Sequence, residues 1–249
     1  MKGIIFSMFL ACSFIGTSQK QIETHQNSWW NVSSTFKITN NVSISGLYSW
    51  RRYDFVNTWQ QSLARIGFNY KVNDKFTFTP GYDWVVTYPY KKGYDFKEHR
   101  TYEQFLLKNK LGRINIKHRY RLEQRFLENI KLNDNNEYVS NGTRFRQRVR
   151  YKLIFTIPLN HNQMENKTLF LSVFNEIFVN FGKGISKKPL DQNWIDASLG
   201  WKFDNKTSLK IGYRYRYIIK GNGVDIEKNH IFSIGFNHNF DLRKKANKV

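Results

Sequence analysis

From Asn27 onward the chain is written in a two-residue rhythm. Segment 114–126 shows it most cleanly. Ile114, Ile116, His118, Tyr120, Leu122 and Phe126 fall on one side, with Gln124 as the polar exception. Asn115, Lys117, Arg119, Arg121, Glu123 and Arg125 fall on the other. A helix would interleave these two sets, whereas a strand separates them. Segment 144–157 repeats the pattern. Phe145, Val149, Tyr151, Leu153, Phe155 and Ile157, with Gln147, oppose Arg144, Arg146, Arg148, Arg150 and Lys152. Segments 193–203, 208–219 and 230–240 alternate in the same way. Weaker alternation marks 28–38, 42–53, 61–72, 76–88, 99–109 and 168–181, with Pro80 demanding an edge, bulge or bend inside its strand. Each segment has roughly the length of a tilted membrane-spanning strand.

The connections alternate in length. Short turns fall at 39–41, 73–75, 110–113 and 204–207, rich in the Asn, Asp and Gly that tolerate turn geometry. Longer polar links fall at 54–60, 89–98, 127–143, 182–192 and 220–229. Short turns on one side and long loops on the other are the signature of an outer-membrane barrel. The link 158–167 is long but lies on the short-turn side. The pattern predicts a closed antiparallel up-and-down transmembrane β-barrel. Eleven segments are visible, yet bacterial barrels normally have an even number of strands. The expectation is therefore about 12 strands, with 10–12 compatible. The missing strand is sought in 19–27, unless the N-terminus threads the lumen or the count is off.

Composition sharpens this picture. The 249 residues carry 40 Lys and Arg against 19 Asp and Glu, a formal charge of +21. That balance ordinarily signals nucleic acid or an anionic surface. An aromatic content of 17% excludes a disordered basic chain. No stretch past the N-terminus has 18 consecutive apolar residues, a test that barrels evade because only alternate residues face lipid. Met1-Lys2, the apolar run from Ile4 to Ile15 and the small residues Gly16-Thr17-Ser18 read as a signal peptide cleaved after Ser18. Cys12 is the only cysteine, so no internal disulfide can form. Leu10-Ala11-Cys12 loosely resembles a lipobox, but Phe9 fits its upstream position poorly. The expected division is 1–18 signal peptide, 19–240 a single barrel domain and 241–249 a polar basic tail. The expected location is the outer membrane of a Gram-negative bacterium after Sec export.

Charge changes the picture most on the face turned away from lipid. The candidate cluster is Arg119, Arg121, Glu123, Arg125, Arg144, Arg146, Arg148, Arg150, Glu176, Arg214 and Arg216. Two readings stand. The arginines form an anion-favouring lumen, or Arg–Glu ladders fill a narrow barrel and brace its wall. Acidic residues on this face are fewer: Asp83, Glu123, Glu176 and Asp196. Trp29, Trp30, Trp50, Trp84, Tyr88, Trp201 and Tyr213 lie mostly near strand ends, as interfacial belts require.

Catalytic motifs are not found. There is no GxSxG elbow, and His118 sits on the apolar face without a serine partner that can be argued. No HExxH or comparable spacing points to a metal, and no phosphate loop or cofactor motif occurs. Gly200, Gly212 and Gly235 read as bulges or close-packing sites. Tyr213-Arg214-Tyr215-Arg216-Tyr217 alternates rings with cations, but on opposite faces, which disfavours a single-strand nucleic-acid platform.

Several further motifs run along the chain. They are Trp30-Asn31, Trp50-Arg51-Arg52-Tyr53, Pro80-Gly81-Tyr82, His99-Arg100, Tyr102-Glu103-Gln104 and His118 to Arg125. Arg144-Arg146-Arg148-Arg150-Tyr151, Phe174-Asn175-Glu176 and Asp191-Gln192-Asn193 complete the set. On these the chain, over roughly 28–240 by its alternation, resembles the domain of unknown function 2490 family of secreted barrels. The resemblance implies an outer-membrane-type barrel and carries no activity or catalytic residues. The functional expectation is a non-enzymatic outer-membrane barrel without cofactors, in contact with outer-membrane lipid. It would be a narrow anion-favouring channel or binding barrel, with small anions and no nucleic acid as partners. Two alternatives compete: a barrel enzyme modifying lipid or lipopolysaccharide, and a soluble periplasmic barrel or sandwich binding an anion.

Overall fold

A computed structural model describes residues 20–183, 185 and 189–243. Segment 1–18, read above as a signal peptide, and the end of the basic tail lie outside them. Eleven strands follow one another: β1 (Ile22–Lys37), β2 (Val42–Tyr53), β3 (Thr58–Lys71), β4 (Phe76–Thr87), β5 (Phe96–Leu111) and β6 (Ile114–Leu132). Next come β7 (Tyr138–Pro158), β8 (Thr168–Phe181), β9 (Leu190–Lys202), β10 (Thr207–Ile219) and β11 (Ile226–Asp241). Each pairs with its sequence neighbours, and β1 pairs with β11 to close one continuous barrel. This single sheet replaces the two-sheet sandwich among the alternatives.

Closure resolves the parity problem. The eleven segments are the eleven strands, and no twelfth is present among the described residues. Ten of the pairings are antiparallel, while β1 and β11 run parallel from Ile22↔Ile226 to Lys37↔Asp241. Residues 22–27 extend β1 itself. An odd count needs one parallel seam, because the first and last strands then point the same way.

Local chemistry sets the turns. Thr39 Oγ1 accepts the amides of Asn41 and Val42 at 3.2 and 2.9 Å. Asn73 Oδ1 does the same for Lys75 and Phe76 at 3.0 and 2.8 Å. Asp204 Oδ1 takes Lys206 and Thr207, both at 2.7 Å, and these amides hold its carboxyl below the usual carboxylate range. The two-residue link between β5 and β6 uses Gly112 at φ 54°. Pro80 sits where the β3–β4 ladder is interrupted, between Gly67↔Gly81 and Tyr70↔Phe78, while still opposing Glu103 on β5. Its missing amide therefore breaks no bond there.

Alternation sends the apolar set outward. Tyr48, Ile66, Phe68, Phe105, Tyr120, Val149, Ile195, Leu199, Ile211 and Phe232 are all exposed on the outer wall. Gln124 also points outward. It accepts from Thr101 Oγ1 at 2.9 Å and donates to Glu103 at 3.1 Å, so this polar exception is satisfied by neighbours on β5. Near the long-loop rim, Trp30, Trp50, Trp59 and Tyr88 form a row with ring centroids 6.3, 5.9 and 5.6 Å apart. Trp29 is a correction. It was expected in a belt, but it is fully enclosed, because it and Trp30 necessarily face opposite ways.

Two inward aromatic rings explain the glycines. Tyr102 lies flat against Gly67 and Gly81, and its hydroxyl donates to the Ile66 carbonyl at 3.2 Å. A side chain at Gly81 would collide with that ring. Gly200 leaves room in the same way for Phe170, and Gly212 for Ser198. Both are close-packing glycines. The register shifts of the sheet fall elsewhere, at Arg51/Arg52, Glu128/Ile130 and Phe178/Val179.

Candidate functional site

The lumen holds a connected belt of guanidinium and carboxylate groups. Period two aims every second residue of β3 to β8 inward, and the register stacks these residues side by side. Arg65 grips Asp83 through two bonds of 2.6 and 2.7 Å. Arg100 joins Asp83 at 3.1 Å to Glu98 at 2.8 Å. Arg125 grips Glu98 in turn at 2.6 and 3.0 Å. Glu123 is enclosed completely. It accepts from Arg148 at 2.6 Å and Arg150 at 2.7 Å, with Arg100 and Arg121 at 3.7 and 3.9 Å. Arg148 reaches on to Asp191 at 2.7 Å. Glu176 collects Arg150 and Arg119, each at 2.6 Å, and Lys152 at 3.9 Å.

Charged groups enclosed in this way must be compensated, since an unpaired buried ion costs several kcal/mol. Compensation is incomplete. The belt's cations are Arg65, Arg100, Arg119, Arg121, Arg125, Arg148, Arg150 and Lys152. Its carboxylates are Asp83, Glu98, Glu123, Glu176 and Asp191. Arg119 Nε and Arg121 Nη1 are buried without an acceptor among the described residues. Arg121 instead binds the Gln104 carbonyl at 2.6 Å and lies over the Tyr102 ring at 4.0 Å.

The opposite wall is built differently. Trp29, Phe174, Phe178, Trp194 and Ile231 form its buried apolar patch. Guanidinium groups lie on these rings, with Arg51 3.8 Å and Arg214 5.0 Å from the Trp29 centroid. Arg214 also pairs with Asp196 at 2.9 Å. Arg216 donates to Gln192 at 3.0 Å. Between the two walls lies a cavity of about 310 Å3. A wider chamber of about 590 Å3 opens at the long-loop end and one of about 600 Å3 at the short-turn end, where Lys37, Lys71 and Lys108 line it.

Of the residues singled out from sequence, Arg119, Arg121, Glu123, Arg125, Arg148, Arg150 and Glu176 meet in the belt. Arg214 and Arg216 stand on the facing wall. Arg144 and Arg146 do not join them. Pairing of β7 with β8 begins at Gln147↔Phe181, so residues before it belong to a two-stranded ribbon beyond the closed wall. Arg144 is exposed there, and among the described residues Arg146 donates to the Phe145 carbonyl at 3.2 Å. Sequence reasoning missed Glu98, Arg100 and Asp191 as belt members. Glu98 and Asp191 lie just before the segments drawn at 99–109 and 193–203. Extending the first strand by one residue finds Glu98, but Asp191 shares the parity of outward Ile195 and turns inward only through the β8–β9 register shift at Phe178/Val179, which alternation cannot show.

The histidines of the outer wall are engaged by hydroxyls. His118 meets Tyr151 at 2.9 Å, His99 meets Tyr82 at 2.5 Å, and His230 meets Tyr213 at 2.6 Å. At the long-loop end, Glu23, His25 and Glu227 bring three ligand-type atoms within 4.8 Å of one another. Both carboxylates already have partners, Lys220 Nζ at 2.5 Å and Asn229 Nδ2 at 2.8 Å.

The fold is similar to that of a solved porin, described as the NanC porin structure in rhombohedral crystal form. The TM-score is 0.50 at 12% identity, covering 85% of this chain and 97% of that one. At that identity the likeness concerns the fold alone. No curated protein matches the chain. Residues 26–227 match the family described as protein of unknown function (DUF2490), and the chain belongs to that family.

Proposed function

We propose that this protein is a non-enzymatic barrel of a Gram-negative outer membrane, and that its lumen is a narrow passage favouring small anions. One observation carries the reading: inside the closed wall, guanidinium and ammonium groups outnumber carboxylates. The belt sets eight cations against the five acids named above, and Arg51 and Arg216 add to the surplus from the facing wall. A surplus confined by a low-dielectric wall raises the local concentration of anions. The apolar outer face supports contact with outer-membrane lipid, because a closed barrel pairs its backbone groups internally.

The belt does double duty in this reading. Its ion pairs brace the wall, and its surplus of cations over carboxylates sets the sign of the field. The non-enzymatic part is supported by the outer-wall histidines, each held by a tyrosine or threonine hydroxyl rather than by a serine. The test is reconstitution in a planar bilayer under a potassium chloride gradient. The reversal potential is expected on the chloride side of zero. A cation-selective current, or a barrel that never conducts, would overturn the passage.

A further inference from the structure

We infer that Arg51 and Arg216 form the binding subsite for an oxyanion, a carboxylate or a phosphate, at the long-loop end of the central cavity. The inference rests on the anion-favouring reading of the lumen and gives it a place.

Three observations converge on these two residues. Both line the cavity, and both are half-buried, unlike the enclosed Arg100, Arg121, Arg148 and Arg150. Neither has a carboxylate partner among the described residues. Arg51 donates to Gln61 Oε1 at 2.5 Å and to Ser49 at 3.0 Å, and Arg216 donates to Gln192 Oε1 at 3.0 Å. The carboxylates near Arg216, Glu227 and Asp191, are engaged by Asn229 at 2.8 Å and Arg148 at 2.7 Å. Finally, the two cations are close. Their guanidinium carbons lie 3.8 and 5.8 Å from the same Trp29 centroid, so they are separated by no more than the sum of those distances. An oxyanion bonded to a guanidinium through N–H···O contacts of about 2.8 Å puts its own centre about 4 Å from that guanidinium carbon. Two such contacts bridge guanidinium carbons up to about 8 Å apart, a separation of the same order as that bound.

The neutral glutamines are informative. Most arginine forks of the belt meet Asp or Glu; Arg51 and Arg216, like the enclosed Arg121 on Gln104, meet a side-chain amide, but they alone of these three are half-buried beside the cavity. An amide oxygen fixes the arginine's direction without cancelling its charge, which leaves the charge for a diffusible anion. The aromatic patch behind Trp29 and Trp194 holds the guanidinium planes in place, with ring centroids 5.2 Å apart.

The experiment is equilibrium binding by titration calorimetry in detergent. The probes are sodium phosphate and sodium acetate, and folding is checked by the mobility of unboiled samples. Wild-type protein is expected to bind at least one probe saturably. Gln61→Glu and Gln192→Glu keep size and both arginines but supply an internal carboxylate. Each is expected to weaken binding at least about tenfold, as loss of one charge-assisted contact does. Arg146→Gln, outside the closed wall, is expected to bind as wild type. Phosphate and acetate separate the sources: preference for one names the ligand class. Absent wild-type binding, or binding unchanged in both glutamate variants, would overturn the subsite. Chloride selectivity that survives alongside unchanged binding would sink the subsite and leave the passage standing. Binding without conductance would do the reverse.

Discussion

At the residue scale, Glu123 accepts from Arg148 and Arg150 while Arg100 and Arg121 stand within 3.9 Å. Removing its charge leaves several enclosed guanidinium groups short of an anion. Glu123→Gln is therefore expected to lower barrel stability by about 3–5 kcal/mol, the usual cost of breaking a buried ion pair from one side. Urea unfolding in detergent micelles measures this, and an unchanged midpoint would mean that the belt is not structural. The alternation in the sequence made Glu123 and its arginines legible, because period two alone assigns faces. It did not reveal Trp29 as a lumen residue. Trp29 and Trp30 are adjacent and equally aromatic, and only the registers Trp29↔Arg51 and Trp29↔Ser233 show which one turns inward. The bare guanidinium groups of Arg51 and Arg216 were equally hidden, since a missing partner is a property of three-dimensional neighbours.

At the element scale, two segments matched to the residue, 42–53 and 168–181, and the rest lay within a few residues of the drawn ends. The largest differences are at the start of β1, Ile22 rather than 28, and at β6 and β7, the last two running 19 and 21 residues. In β6 and β7 the extra residues form the ribbon. Their alternation fades past Phe126 because the ribbon beyond the closed wall has no lipid face and no lumen face to separate. The parallel seam between β1 and β11 was not legible, because side-chain period says nothing about strand direction. It has a direct check. Ser33 and Asn237 oppose each other across it, with Asn237 Nδ2 donating to Ser33 Oγ at 3.0 Å. In a Ser33→Cys/Asn237→Cys variant the two thiols are expected to form a disulfide. Neighbouring strands sit about 4.8 Å apart, within disulfide reach. A strand inserted between β1 and β11 would separate the pair to about 10 Å. Two free thiols after oxidation, detected by labelling, would refute the seam.

At the scale of the whole molecule, the formal charge of +21 loses its ordinary meaning. Many of the arginines that make it up point into a walled space, and much of the outer wall shows apolar rings and branched side chains. Charge inside and apolar surface outside is the inverse of a soluble protein's arrangement, and it supports the proposal that lipid replaces water around the wall. The most direct measurement is fractionation of the expressed protein, followed by gels of boiled and unboiled samples. Recovery with the outer membrane and faster migration before boiling is the expected result, since a closed barrel resists detergent until heated. Recovery in the soluble fraction, with no difference on boiling, would contradict the account.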